Sequence, residues 1–92
     1  MIKSFKDKEA ERLFNRKRSK SPGDVQAVSR RKLEQLNVAK TLLDLAVFPG
    51  NKPEPLRGKR KGQHSIRIND QWRICFVWKE GDVYDVEICD YH

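Results

Sequence analysis

The chain ends in three residues with side chains that can take part in proton transfer, Asp90-Tyr91-His92. The imidazole of His92 can exchange a proton near neutral pH, and with His92 as the last residue its own carboxylate would reach the same place. Tyr91 can exchange a proton or stack on a nucleobase, and Asp90 can orient the imidazole or accept a hydrogen bond from a hydroxyl group. The same tripeptide is also typical of a frayed strand end, so its role depends on what the fold places beside it.

Basic side chains in the second half of the chain supply a different chemistry. Arg57, Arg67 and Arg73 can each donate planar, bidentate hydrogen bonds to phosphate oxygens. Such donors stabilise the additional negative charge of a pentacoordinate phosphorane. Together with Arg57 and Arg67, the residues that we expect to bind a nucleic-acid strand are Lys52, Lys59, Arg60, Lys61 and Gln71.

The charge of the whole chain points in the same direction. Twenty basic residues outnumber 13 acidic ones, which gives a net charge of +7. The basic residues concentrate in segments 12–20 and 52–67, whereas segment 80–90 is acidic. This uneven distribution favours a phosphate-rich partner, although a basic balance also occurs in small domains that are merely soluble.

Several classes of protein are disfavoured by composition. No apolar run approaches the roughly 18 residues that a membrane-spanning helix needs, and the first residues do not have the pattern of a secretion signal. We therefore expect a cytoplasmic protein in which Cys75 and Cys89 are reduced. These cysteines, with His64 and His92, form no close ligand pair, so we expect neither a metal nor another cofactor.

The apolar spacing of the first half predicts helices. One amphipathic helix is expected over about 7–17, and a second is expected to reach about residue 39. The second helix would begin at Ser21-Pro22-Gly23-Asp24, with Ser21 as its cap. Thr41 and Asp44 repeat the capping pattern before a short helical turn, and the first few residues predict an edge strand.

From Gln63 onward the apolar period changes to two, which predicts three antiparallel strands with loops at 69–71 and 79–83. A common apolar face sets Ile68 opposite Trp72 and Trp78 opposite Tyr84. Residues 1–92 would thus form one α+β domain, with N-terminal helices packed on the even-numbered face of the sheet. The odd-numbered face, which the helices would leave open, carries Arg67, Gln71, Arg73, Cys75, Cys89 and Tyr91.

A site with these residues is suited to RNA. The 2′-hydroxyl of RNA can attack the adjacent phosphate when cations and a proton acceptor surround it, so neither a metal nor a protein nucleophile is needed. DNA lacks this hydroxyl group and would not be cut. A fully aligned site would degrade all cellular RNA, which suggests that a larger partner supplies part of the alignment.

Most of the chain resembles the HigB toxins of the RelE superfamily. The resemblance covers the opening Met1-Ile2-Lys3-Ser4-Phe5, the run from Pro55 to Trp78 and the ending Asp90-Tyr91-His92. Its most specific parts are Leu56-Arg57-Gly58, Ser65-Ile66-Arg67-Ile68 and Gln71-Trp72-Arg73-Ile74. The resemblance implies a compact microbial RNase-like RelE fold.

The same resemblance implies an activity and partners. The expected protein is the toxin of a type II toxin-antitoxin system, which cleaves translated messenger RNA in the A site of the 70S ribosome without a metal. Its expected partner is a HigA-like antitoxin with a helix-turn-helix, and operator DNA would be bound only through the complex. The catalytic roles implied by the family fall on Arg57, Arg73, Asp90, Tyr91 and His92.

Three positions depart from the pattern of some relatives. Glu54 stands where some HigB toxins have a catalytic histidine, so it is either a base or a position without a role. Arg57 replaces a lysine of some relatives, and Gln71 replaces another amide. The group that removes the 2′-hydroxyl proton is therefore left unassigned.

Two other functions are compatible with the composition. A ParE-like toxin would share the fold but inhibit DNA gyrase without cutting RNA, and a noncatalytic RNA- or ribosome-binding module would explain the charge equally well. Neither gives a reason for the acid-base groups at the end of the chain. RNA cleavage, RNA retention without cleavage, and gyrase inhibition distinguish the three.

Overall fold

Helices pack against a four-stranded antiparallel sheet in the computed structural model, which describes residues 1–90. The helices are α1 (Lys8–Phe14), α2 (Gly23–Val38) and α3 (Leu42–Ala46). The strands are β1 (Glu54–Pro55), β2 (Gln63–Arg67), β3 (Trp72–Lys79) and β4 (Asp82–Asp90), in the order β1-β2-β3-β4, with a 3₁₀ turn at Gly58–Arg60. The predicted α+β architecture is confirmed. Within residues 1–90, no helix combines the length and the apolar character needed to cross a membrane.

The N-terminal segment pairs with the free edge of β4. Ile2 and Phe5 form isolated parallel bridges to Val83 and Val86, in place of the continuous edge strand that the sequence predicted. The chain then enters α1, where the side chain of Asp7 accepts a hydrogen bond from the Ala10 amide at 2.7 Å. This cap gives an acceptor to one of the amide groups that the start of a helix leaves without a main-chain partner.

The predicted cap of α2 is wrong. Pro22, not Ser21, occupies the cap position, and no side chain caps the helix there. The Ser21 hydroxyl instead donates to the Glu9 carboxylate at 2.7 Å. A cap requires the Ser21 oxygen to lie beside the first free amides of α2, whereas this strong bond to a charged acceptor holds the hydroxyl group beside α1.

The predicted capping box of α3 is confirmed. Thr41 Oγ1 accepts from the Asp44 amide at 3.3 Å, and Asp44 Oδ2 accepts from the Thr41 amide at 3.0 Å. These reciprocal bonds begin a helix that buries Leu45 and leads towards β1.

Removing the Thr41 hydroxyl tests this cap. We expect Thr41→Ala to lower the free energy of unfolding by roughly 0.5–1 kcal/mol, because the Asp44 amide then keeps only its bond to the Thr41 carbonyl oxygen, at 3.1 Å. Urea unfolding followed by circular dichroism measures the change. Thr41→Ser keeps the hydroxyl and should stay close to wild type; an equal loss in both variants would contradict the capping role.

The register of the sheet agrees with the prediction over most of its length. Ile74 pairs with Ile66 on β2 and with Ile88 on β4, and Arg73 pairs with both Arg67 and Cys89. The even-numbered face carries the core, which includes the fully buried side chains Leu13, Leu33, Leu36, Ile66, Ile74 and Phe76. Trp72 and Trp78 pack against this core, as their place in the apolar stripe indicated.

The predicted pairing of Trp78 with Tyr84 is wrong. A register shift between Cys75 and Val77 places Trp78 opposite Val83, and Asp85 adopts a positive φ of 54°. The β3–β4 loop is reduced from the predicted 79–83 to Glu80 and Gly81, which both have positive φ and suit a tight hairpin turn. Val83 is buried as a result of this bulge.

Candidate active site

A cleft of about 250 Å³ lies beside the arginines of the odd-numbered face. Its lining residues come from β1, from the ends of β2 and β3 and from the loops next to them: Lys52, Glu54, Arg67, Asn69, Asp70 and Arg73. The fold thus brings together two residues predicted to be catalytic, Glu54 and Arg73, and two predicted to bind RNA, Lys52 and Arg67.

The Arg73 side chain is the most constrained group in the cleft. It is 5% exposed, so the prediction that it lies on an open face is wrong. Its Nε donates to Ser65 Oγ at 2.7 Å, and its Nη2 donates to the carbonyl oxygens of Lys52 at 2.5 Å and Ser65 at 3.3 Å. These bonds fix the plane of the guanidinium group, because its donors have a rigid arrangement.

Glu54 places a carboxylate beside this guanidinium group. Glu54 Oε1 lies 3.7 Å from Arg73 Nε, and the Glu54 side chain is 43% exposed. The pairing of β1 with β2 sets this position, since Glu54 is opposite Ser65. A carboxylate, which can accept a proton, and a guanidinium group, which can bind a phosphate group, therefore share one cleft.

The loop between β2 and β3 forms another wall. Arg67 makes an ion pair with Asp70, and the Asn69 side chain accepts from the Gln71 and Trp72 amides at 2.9 and 2.8 Å. The side chain of Asn69 thus holds the turn that carries Asp70. Asn69 and Asp70 were not predicted as site residues, because polar residues at a hairpin turn are usually explained by turn formation.

The basic loop between β1 and β2 does not line the cleft. Arg57, Lys59 and Lys61 are exposed around the 3₁₀ turn. Arg60 is held by Glu87 on β4 at 2.6 Å and also donates to Gln63 at 3.1 Å. Three of these cations thus extend into solvent, whereas Arg60 helps to attach the loop to the sheet.

The end of β4 approaches the cleft from the opposite side of β3. Asp90 lies opposite Trp72, is exposed, and accepts from Gln71 Nε2 at 3.4 Å. Cys89, immediately before it, lies opposite Arg73. The predictions for Tyr91 and His92, including Gln71 opposite Tyr91, fall outside the described residues.

The two cysteines are free thiols in contact with each other. A hydrogen bond between the two thiols lowers the pKa of Cys75 and raises the pKa of Cys89. Cys89 Sγ also donates to the Glu87 carboxylate at 3.1 Å. Cys75 is buried and does not project from an open face as predicted. Within residues 1–90, no cluster of three His, Cys, Asp or Glu side chains could hold a metal ion.

Sequence reasoning missed Lys32, a buried lysine whose amine donates to the Arg67 carbonyl at the edge of the cleft. A signal for it was present in the sequence. Lys32 falls within the buried stripe of α2 that also contains Val25, Ser29 and Leu36, so helical periodicity alone places it facing the sheet.

Comparison with known proteins identifies the family. Residues 3–92 match the family described as RelE-like toxin of type II toxin-antitoxin system HigB. The chain belongs to the HigB-like toxin family. It is 39% identical over 83 residues to Toxin HigB-1 of Vibrio cholerae serotype O1, covering 88% of this chain and 87% of that protein. It is 34% identical to Endoribonuclease HigB of Proteus vulgaris over 98 residues, covering 100% of both.

Solved structures show the same fold. The YoeB-YefM complex from Staphylococcus aureus matches with a TM-score of 0.62 and 19% identity, covering 100% of this chain and 98% of that one. YafQ from E. coli strain BL21(DE3) matches with a TM-score of 0.54 and 13% identity, covering 99% and 92%. The predicted RelE fold of this HigB-like toxin is therefore confirmed.

Proposed function

We propose that this HigB-like toxin is an endoribonuclease that cleaves messenger RNA in the ribosomal A site without a metal. The observation that carries the proposal is the cleft in which the buried guanidinium group of Arg73 meets Glu54 between Lys52 and Arg67. The family supports it, since one relative is named an endoribonuclease.

The reaction uses the RNA as its own nucleophile. The 2′-oxygen attacks the adjacent phosphorus, the bond from phosphorus to the 5′-oxygen breaks, and a 2′,3′-cyclic phosphate forms. Arg73 stabilises the charge that develops on the phosphorane, while Lys52 and Arg67 hold the strand. Glu54 takes the proton from the 2′-hydroxyl, and His92 gives a proton to the departing 5′-oxygen. Asp90 and Tyr91 orient the imidazole and the nucleotide.

The position of Glu54 beside Arg73 makes its role testable. We expect Glu54→Gln to lower the cleavage rate about 10²-fold, because the amide keeps the shape of the side chain but cannot accept the proton. Glu11→Gln, at an exposed position of α1, is the matched control. Single-turnover cleavage measures both variants. An unchanged rate in Glu54→Gln would show that the position has no catalytic role and would move the acceptor to residues 90–92.

A second basic surface supports binding to the ribosome. Five exposed cations lie on α1 and in the segment that follows it: Arg12, Arg16, Lys17, Arg18 and Lys20. They belong to the helical layer, whereas the cleft lies beside the other face of the sheet. Two separate basic surfaces suit an RNA partner that surrounds the protein, because each neutralised phosphate contributes to binding. Ribosome binding should therefore weaken steeply with added salt.

We also propose a HigA-like antitoxin with a helix-turn-helix as the partner that neutralises the toxin, with operator DNA bound only through their complex. One solved structure of the same fold is a heterotetrameric toxin-antitoxin complex, YoeB-YefM from Staphylococcus aureus. The basic balance of this chain favours an acidic contact surface on the antitoxin. Action on translated RNA places the protein in the cytoplasm.

Primer extension on a defined messenger RNA tests the proposal. Wild-type protein is incubated with the RNA in the presence and absence of programmed ribosomes, and a parallel RNA has a 2′-deoxynucleotide at the mapped cleavage position. We expect cuts within codons only with ribosomes, a cyclic phosphate end, and no cut at the deoxy position. Cleavage that persists there would indicate an activated water, whereas RNA retention without cleavage, or inhibition of gyrase, would favour the noncatalytic alternatives.

A further inference from the structure

A buried lysine lies behind the cleft, on the helical side of the sheet. Lys32 is 5% exposed, and its Nζ donates to the carbonyl oxygens of Gly50 at 3.4 Å and of Arg67. Among residues 1–90, no carboxylate lies within ion-pair distance of this amine. Transfer of an ammonium group from water into a protein interior is costly when no opposite charge compensates it.

The surroundings of Lys32 add to this cost. Burial lowers the pKa of the Lys32 ammonium group, and the neighbouring charges of Arg31, Arg67 and Arg73 lower it further. Two of these neighbours, Arg67 and Arg73, line the cleft. The fold thus concentrates positive charge at the point where a phosphate group would enter, and a bound phosphate would relieve the repulsion.

Lys32 is also part of a regular set of hydrogen bonds. The segment 50–52, which we call the cleft strap, presents three successive carbonyl oxygens to three different elements. That of Gly50 accepts from Lys32 of α2, that of Asn51 accepts from the Arg67 amide of β2 at 2.6 Å, and that of Lys52 accepts from Arg73 of β3 at 2.5 Å. The strap therefore links the helical layer to the arginines of the cleft.

Two further features indicate that the strap is held in one conformation. Asn51 is buried, and its Nδ2 donates to Gln35 Oε1 at 3.1 Å and to the Leu45 carbonyl at 3.0 Å. Lys52 adopts a φ of 41°, a conformation that non-glycine residues rarely take up without support from surrounding contacts.

We propose that Lys32 is a positioning residue for RNA cleavage, which holds the cleft strap against β2 and supplies a fixed positive charge behind Arg67 and Arg73. The proposal rests on the function proposed above. Lys32 does not contact the substrate; it acts through Lys52, which the strap carries, and through Arg73, whose guanidinium group is bonded to the strap. Misplacement of catalytic groups by about 1 Å can lower a rate about 10²-fold.

Lys32→Met tests this role, because methionine has a similar length but lacks the charge and the donors. The matched control is Arg31→Met, which removes the exposed cation beside it on α2. We expect Lys32→Met to lower the single-turnover rate on programmed ribosomes roughly 10- to 100-fold. Arg31→Met should stay within about twofold of wild type, because its charge is already solvated. Equal rates in folded Lys32→Met and wild type would overturn the proposal.

The thermal response to inorganic phosphate separates positioning from a purely structural role. We expect phosphate to raise the Tm of wild type and of Arg31→Met by similar amounts, and that of Lys32→Met by less than half as much. This comparison does not depend on cleavage. If wild type fails to cut RNA, the proposed function fails, whereas an undiminished phosphate response in Lys32→Met contradicts the role of Lys32 itself.

A measurement on wild-type protein covers the case in which Lys32→Met does not fold. Nuclear magnetic resonance of lysine side-chain nitrogens should show one slowly exchanging ammonium signal, since a buried, hydrogen-bonded amine is protected from water. We expect that signal to shift when a 2′-deoxy oligonucleotide, which cannot be cleaved, is added. A protected signal that does not respond, while exposed lysines do, would overturn the proposal.

Discussion

Arg73→Lys is expected to lower the rate of RNA cleavage on programmed ribosomes by about 10²- to 10³-fold, the loss typical when one donor to a developing oxyanion is removed. Lysine keeps the positive charge but lacks the planar guanidinium group. The variant therefore loses Nε, which Ser65 orients, and Nη2, which the Lys52 carbonyl oxygen orients. The charge alone cannot restore the direction of the missing hydrogen bonds. Single-turnover cleavage of ribosome-bound messenger RNA is the measurement.

The variant also tests how much the buried guanidinium group stabilises the fold. The Arg73 side chain satisfies two carbonyl oxygens, and leaving a buried carbonyl without a partner costs about 1–3 kcal/mol. Rates are therefore normalised to the folded fraction measured by circular dichroism. Arg31→Lys, at an exposed position, is the control for the same substitution. A folded Arg73→Lys protein with wild-type rate would remove Arg73 from the mechanism.

The register of the sheet could be predicted because its apolar residues alternate with a strict period. A slip of one residue between β2 and β3 would expose Ile66 and Ile74, so the pattern allowed one solution. The pattern failed at the β3–β4 hairpin, where Val83 and Tyr84 are adjacent and either can face the core. The bulge that selects Val83 depends on a positive φ at Asp85, which the apolar pattern does not encode.

The residues of the cleft were easier to predict than their environment. Arg67 and Arg73 share a face because of strand alternation, and this follows from sequence. The burial of Arg73 does not, because it depends on a loop distant in sequence, in which the Lys52 carbonyl oxygen accepts a hydrogen bond from the guanidinium group. Main-chain acceptors have no signature in a sequence. For the same reason Lys32 was overlooked, although its place in the apolar stripe of α2 was visible.

His92→Gln is expected to lower the cleavage rate by about 10²- to 10⁴-fold, the range typical of a lost general acid or base. Glutamine keeps an amide that can hydrogen-bond but cannot deliver a proton to the departing 5′-oxygen. The prediction rests on the chemistry of imidazole and on the place of His92 two residues after Asp90, which lies at the end of β4 opposite Trp72. His64→Gln is the matched control, since His64 stacks on Phe76 and does not line the cleft.

A change of leaving group decides which proton His92 transfers. In an RNA with sulfur in place of the bridging 5′-oxygen, the departing thiolate needs no proton, because a thiol is far more acidic than an alcohol. If His92 is the general acid, His92→Gln should cut this substrate nearly as fast as wild type, whereas Glu54→Gln should remain slow. If neither variant recovers, His92 acts before the bond breaks, as the acceptor of the 2′-hydroxyl proton or as a group that orients the nucleotide. Comparing His92→Gln and Glu54→Gln on the oxygen and sulfur substrates thus shows which residue takes the 2′-hydroxyl proton and which gives a proton to the 5′-oxygen.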